Sequence, residues 1–392
     1  MSAGSTPEPD RMPITTMLKR ASLLLPVIAA PLAAQVPDTT KAVPPKPPAA
    51  EVSGVIFTTY RYGGDADSRS DNRFDVDRAY ITVRAPAGDR VAIRVTADVF
   101  QQRDSDSDDY YRGWTFRAKY AYADWKAGSM ATLPITVRLG MMQTTVIEHE
   151  ETFWNRGLSS TAVEQSGFFS SADVGAGAIA TLPNRLGEVF VAAYNGNGYT
   201  SRETDRFKDV GARITVTPFA NGAGWLKTLA ISPWVYVGAR ASEFEEGAGT
   251  VTPVAESRRK NRFGVFTGIR EPGVIAGVHF GRKADDVEDA DTLSDLEPIV
   301  TNVKGNLVSA FTIVKPGLLG LPLPSPLLAV VRHDFFKPDA DADGFQRFLI
   351  AGLGWQLTSK ATVYLDWQRR TAGDGASDVN DSIFFVHGIL SY

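Results

Sequence analysis

Cysteine is absent from this chain of 392 residues. That excludes a disulfide framework, thiolate metal sites and cysteine nucleophiles. Histidine is scarce: His149, His279, His333 and His387 are the four, and none is spaced from another like a zinc motif. Neither sign of charge dominates, because 41 Lys and Arg face 45 Asp and Glu for a net charge of −4. A nucleic-acid binder needs a basic excess, so that class is excluded. Apolar runs are short as well. A membrane helix needs about 20 residues, and the run Leu23–Ala34, the only candidate, has twelve and contains two prolines.

That short run belongs to a leader. From Met17 the chain reads "MLKRASLLLPVIAAPLAAQ", with Lys19 and Arg20 before the apolar core and Ala33-Ala34 as a small-residue exit. The pattern is that of a secretory signal peptide over 1–34, with Met17 the expected start. Residues 35–51, "QVPDTTKAVPPKPPAAE", are too rich in proline for a packed element and read as a periplasmic leader.

Alternation fills the remainder. In "RVAIRVTADVF", Val91, Ile93, Val95, Ala97 and Val99 share one face, while Arg90, Arg94, Thr96 and Asp98 share the other. In "GWTFRAKYAYADW", Trp114, Phe116, Ala118, Tyr120 and Tyr122 oppose Thr115, Arg117 and Lys119. Period two is the signature of a strand. Sixteen such segments are expected, near 52–62, 73–85, 89–101, 112–126, 134–143, 170–181, 187–196, 208–217, 227–240, 261–270, 273–284, 298–314, 326–337, 344–357, 361–370 and 381–392. Connections after even segments are mostly short, such as "APAGD", "EPG" and "TSK"; those after odd segments are mostly longer and polar, such as "QRDSDSDDYY". An even strand count with segregated loop lengths predicts an all-β fold, a transmembrane antiparallel barrel over 52–392 with short periplasmic turns and long outer loops.

The end of the chain fits. "SIFFVHGILSY" places an apolar strand and an aromatic last residue where disorder is the usual state. In a barrel that strand must pair with the first, because an open edge in lipid leaves backbone groups unsatisfied. Trp114 and Trp367 are expected near the outer rim, and Trp125 and Trp355 near the inner one.

An apolar face toward lipid turns the other face to the lumen. There the alternation places Arg78, Arg84, Arg90, Arg94, Arg117, Lys119, Arg138, Arg213 and Arg332, with Asp98, Asp334 and Asp366 to pair with them. Most of the cations lie in the first five segments, predicting one positive wall and a preference for small anionic solutes. One long connection, 145–169, carries Phe153, Trp154, Phe168 and Phe169. Such a loop should pack inward and narrow the channel, with Glu148, Glu150, Glu151, Trp154 and Arg156 at the constriction.

Other chemistry is thin. "EHEE" (148–151) could hold a metal but lacks the His pair of a metalloprotease helix. "DADADG" (339–344) opens like a calcium loop, yet its twelfth position is Ile350. A hydrolase pair of His387 with a serine on the same face, such as Ser391, has nothing else in the sequence to support it. The sequence therefore points to no catalytic residue, metal or cofactor, and its partners are outer-membrane lipid, lipopolysaccharide and solutes. A general non-selective porin and a surface-binding, adhesin-like barrel are the competing readings.

Three stretches in order, "FDVDRAYITVRAPAGDRVAIRVTADV", "WNRGLSS…GFFSSADVGAGA" and "AAYNGNGY…KDVGARITVTP", resemble the phosphate-selective porin O and P family over roughly 52–392. The resemblance implies a sixteen-stranded, usually trimeric porin of the Gram-negative outer membrane. It also implies an inward-folded third outer loop and passive uptake of anions such as phosphate or polyphosphate. The chain departs from that family in its throat: only Lys119 and Lys304 sit well inside strands, and arginine dominates instead.

Overall fold

The computed structural model describes residues 49–65, 71–101, 113–203, 205–222, 224–241, 257–289, 299–373 and 380–392. The signal-peptide reading falls outside them. Sixteen antiparallel strands close into one barrel. They are β1 Glu51–Gly63, β2 Asn72–Pro86, β3 Val91–Gln101, β4 Trp114–Met130, β5 Leu133–Gln143, β6 Ala172–Leu182, β7 Gly187–Tyr194 and β8 Asp209–Val216. The second half comprises β9 Ala230–Ala241, β10 Ser257–Glu271, β11 Val274–Asp289, β12 Ile299–Val314, β13 Leu327–Lys337, β14 Gln346–Thr358, β15 Ala361–Ala372 and β16 Asp381–Ser391.

All sixteen expected segments are strands, and most turns segregate as expected; the connections 217–229 and 315–326 are long although they follow even strands. The β4–β5 hairpin turns on Ala131 and Thr132 alone, both at positive φ (47° and 72°), the conformation that matches strand twist in a two-residue turn. β1 closes on β16 from Val55↔Ser391 to Gly63↔Ile383. Tyr392 adds a rung, its N–H donating to the Gly54 carbonyl at 3.0 Å. Its ring lies over Gly54, where a Cβ would come within 2.4 Å of it. The aromatic terminus thus seals the barrel seam.

Alternation sorts the two surfaces. Ile81, Val83, Ile93, Val95, Leu139, Val191, Val235, Val278, Val331, Leu353, Leu365 and Val386 are all exposed on the outside. A continuous apolar belt of this kind is untenable in water and is the lipid-facing band of an outer-membrane barrel. Trp125 and Trp355 stand exposed toward the short-turn end, and Trp114 toward the long-loop end, as interfacial aromatics do.

The phase changes within β4. Thr96 pairs with Tyr120 but Ala97 with Ala118, so Lys119 is an extra residue in the ladder. A β-bulge of this kind shifts every following side chain to the opposite face. Arg117 and Lys119 point inward as the alternation predicts. Tyr120 and Tyr122, expected on the lipid side, are buried inside instead.

Candidate functional site

The lumen is not lined by polar groups throughout. On β10 to β14 the inward face carries Phe266, Phe311, Ile313, Leu328, Val330, Phe348 and Ile350, all buried. They are buried because the loop 145–169 covers them. Its two single-turn helices, α1 Ile147–Glu150 and α2 Ala162–Gln165, turn Ile147, Phe153, Trp154, Leu158, Val163 and Phe168 against the barrel wall. Trp154 meets Phe311 edge-on at 5.1 Å, and Phe153 meets Phe266 at 5.2 Å. Gly157 lets the backbone approach β1 and β16, since a Cβ there would lie 2.6 Å from Ile389 and 2.9 Å from Phe57.

Polar ties fix the same loop. Arg332, 1% exposed, donates from Nη1 to Ser159 Oγ at 2.9 Å and to the Ser160 carbonyl at 2.6 Å, and from Nη2 to Gln165 at 3.3 Å. Its other donors hold Asp334 at 2.6–3.0 Å. Gln368 donates to the Leu158 carbonyl at 3.1 Å, and Arg213 to that of Thr145 at 2.6 Å. A chamber of about 760 Å³ lies against the loop, lined by Phe57, Phe153, Trp154, Arg156, Tyr364 and Ile389 among others.

The "EHEE" run does not converge on a metal; its four side chains diverge. Glu148 accepts from Arg138 at 3.2 Å. His149 pairs with Ser232 at 2.8 Å. Glu150 meets His279 Nδ1 at 2.9 Å, and Trp234 donates to His279 Nε2 at 2.9 Å. An indole N–H only donates, so His279 Nε2 accepts and Nδ1–H donates to Glu150. Glu151 lies 3.0 Å from Arg156. Burial pulls the His149 ring down to about 3, with Arg213 and His279 adding to the effect, so it is neutral. Burial raises the Glu151 carboxyl against the pull of Arg156. Burial also opposes the Arg156 charge, but Glu151 and Glu164 outweigh it and hold the guanidinium above its usual range. Among the described residues no three His, Asp or Glu side chains group as metal ligands.

Opposite the apolar wall, β2 to β5 carry the cations. Arg78 and Arg117 share Asp98 Oδ2 at 2.6 and 2.9 Å. Lys119 donates to Tyr80 Oη at 3.0 Å and sits 4.4 Å from that ring's centre. Arg94 lies 4.6 Å over Tyr120, and Arg138 4.2 Å over Tyr122. Here the bulge matters: by turning both tyrosines inward it supplies ring faces for the arginines, a favourable cation–π arrangement. Arg138 also holds Asp124 in a two-pronged pair at 2.7 and 3.0 Å. From the loop, Arg156 reaches back to Glu164 and Glu151.

The structure divides the sequence-predicted residues. Arg78, Arg84, Arg94 and Arg117 keep part of their surface open, Arg78 36% of its side chain. Lys119, Arg138, Arg213 and Arg332 are buried in contacts. Glu148 meets Arg138 and Arg156 reaches Tyr80 on the β2–β5 side, with Glu151 held by Arg156 within the loop, whereas Glu150 and Trp154 turn away into the β9–β12 side. Two expectations fail. Arg90 is exposed in the turn between β2 and β3, beyond the last inward rung. Asp366 pairs with His387 at 3.1 Å and Gln368 at 2.9 Å rather than with an arginine; His387 is in register with Thr59 and Ser391 with Val55, four residues apart along β16, so the two do not meet. Sequence reasoning missed Tyr80, Asp124, Glu164 and Tyr199. Asp124 was legible as the inward-phase neighbour of Arg138 once the bulge is counted; Tyr199 lies in a loop, where periodicity is silent.

No family model matches the chain, and no curated protein does. Solved structures do. OmpF of Salmonella typhi, in complex with daunomycin, superposes with a TM-score of 0.60 at 9% identity, covering 88% of this chain and 97% of that one. An anion-selective porin from Comamonas acidovorans gives 0.58 at 9% identity over 88% and 99%. The trimer form of in-vitro folded OmpT, an outer membrane protein of Vibrio cholerae, gives 0.55 at 13% over 88% and 99%. The fold is that of the outer-membrane porins. At these identities the likeness is one of architecture, and the porin fold here carries its own set of luminal side chains.

Proposed function

We propose that this protein is a porin that passes small anionic solutes by diffusion, as a homotrimer in the Gram-negative outer membrane. The observation that carries the reading is the division of the lumen. Loop 145–169 packs onto the apolar wall and acts as the constriction, leaving the solute to run along β2–β5. There Arg78, Arg84, Arg94 and Arg117 keep part of their surface open, while Asp98, the carboxylate that Arg78 and Arg117 share, is 0% exposed behind them. A passing solute meets guanidinium, a planar fork suited to phosphate and carboxylate. The resemblance to the phosphate-selective porins O and P makes phosphate or polyphosphate the candidate solute. Trimeric OmpT and the anion-selective Comamonas porin share the fold, which agrees with this reading.

One observation favours a general, weakly selective porin. At the level of the loop, Arg78, Arg94, Arg117, Lys119, Arg138 and Arg156 face Asp98, Asp124, Glu148, Glu151 and Glu164, leaving an excess of one positive charge. The experiment is a planar-bilayer reversal potential across a potassium chloride gradient, followed by phosphate competition against chloride. Anion preference with phosphate competition supports the proposal. A cation-selective or non-selective channel assigns the protein to the second reading.

A further inference from the structure

We propose that Tyr199 is a gate on an oxyanion site formed by Arg78 and Arg117, held in place by the Asn195-Gly-Asn-Gly-Tyr199 turn. This rests on the anion-channel reading above. The phenol oxygen stands where the two guanidiniums converge, accepting from Arg117 Nη2 at 2.9 Å and from Arg78 Nη1 at 3.5 Å. The ring also covers Arg117, whose guanidinium carbon lies 4.7 Å from its centre and 4.1 Å from that of Phe100. Asp98 takes one donor from each arginine through a single oxygen, so the pair keeps a net positive charge. A neutral oxygen therefore occupies the position that suits an anionic one. An incoming oxyanion must displace the hydroxyl before it can take both forks.

The turn is built to hold this residue there. Tyr199 comes from the connection between β7 and β8, and β7 stands three strands round the wall from β4 and five from β2. Gly196 and Gly198 adopt φ of +105° and +74°, a region that glycine enters freely. Both of their N–H groups donate to Asp173 Oδ2, at 2.8 and 3.1 Å. Lys260 donates to the Gly196 carbonyl at 3.1 Å, and Gly198 is so close to Ser170 that a Cβ would lie 2.7 Å from its hydroxyl. A tethered competitor held at a fixed position acts at high effective concentration. Tyr199 thus sets how strongly the site retains a passing oxyanion, weakening capture so that the solute leaves again.

The test uses the full-length protein in planar bilayers, with inorganic phosphate as the probe blocking chloride current. Tyr199→Phe keeps the ring and removes only the hydroxyl; its melting temperature is checked against wild type. The half-blocking phosphate concentration is expected to fall roughly three- to tenfold, the worth of one displaced hydrogen bond. Tyr199→Ala, which also uncovers Arg117, should lower it further. If the wild type is anion-selective and block is unchanged or weaker in both variants, the gate is wrong while the channel reading stands. A cation-selective wild type sinks the channel reading and this proposal with it.

Discussion

Replacing Arg332 with methionine should release the loop. The side chain is fully enclosed and is the largest polar anchor between β13 and residues 159–165. Its loss removes three hydrogen bonds to the loop. It also leaves Asp334, itself 5% exposed, with Ser309 as its remaining donor at 2.6 Å. Breaking one side of a buried ion pair costs about 3–5 kcal/mol, mostly because the partner charge is stranded. That equals two to three and a half decades in an equilibrium at about 1.4 kcal/mol per decade. The penalty vanishes if the loop lifts and water reaches Asp334, so the undocked state gains by that amount. Single-channel recording should show a larger, noisier conductance, and thermal unfolding a lower transition. Adding Asp334→Leu gives a decisive control. Replacing a whole buried pair with apolar groups is often neutral or stabilising, so the double variant should recover most of the stability while Ser159, Ser160 and Gln165 remain untied. If Arg332→Met leaves both conductance and melting unchanged, the loop is held by its apolar face alone and the electrostatic argument is wrong.

Other expectations follow from the same geometry. Arg94→Glu with Arg117→Glu reverses two cations of the open wall and should move the reversal potential toward cations in dilute salt. The shift should shrink near physiological salt, where screening acts over about 8 Å; an unmoved potential would show that these arginines do not govern transport. Gly157→Val places atoms inside the contact with Ile389 and Phe57, and should lift the loop and raise conductance, with an unchanged conductance counting against the loop as constriction. His149 is lowered from the usual 6.5 to about 3 when docked, so docking is fully stabilised above 6.5 and progressively lost as pH falls from there toward 3. Open-channel noise should therefore rise between pH 6 and 4 in the wild type and less so in His149→Gln, which keeps a partner for Ser232 without titrating; equal acid responses would remove His149 from the docking balance.

The sequence by itself determined the barrel. Strand periodicity and loop-length segregation are local properties, repeated sixteen times along one chain, so errors in any one segment leave the pattern intact. It also determined which long connection packs inward, since Phe153, Trp154, Phe168 and Phe169 are too apolar to stay in water. Only the tertiary structure decided what that loop packs against. On β10 to β14 apolar side chains stand on both faces, mixed on the inner one with Ser309, Arg332 and Asp334, and alternation alone does not say that Phe266, Phe311 and Ile350 need an internal cover. Only the tertiary structure placed the bulge at Lys119, because one unpaired residue is invisible in a single strand and appears when β4 is set against β3. That residue turns Tyr120 and Tyr122 from the lipid face to the lumen, where they support Arg94 and Arg138. Pairing was beyond the sequence for the same reason. Glu148 to Glu151 read as one cluster along the chain, yet a helical turn fans successive side chains by about 100°, sending them to different walls. Tyr199 joins Arg78 and Arg117 across separations of 121 and 82 residues, a meeting that closure of the barrel creates and no local pattern encodes.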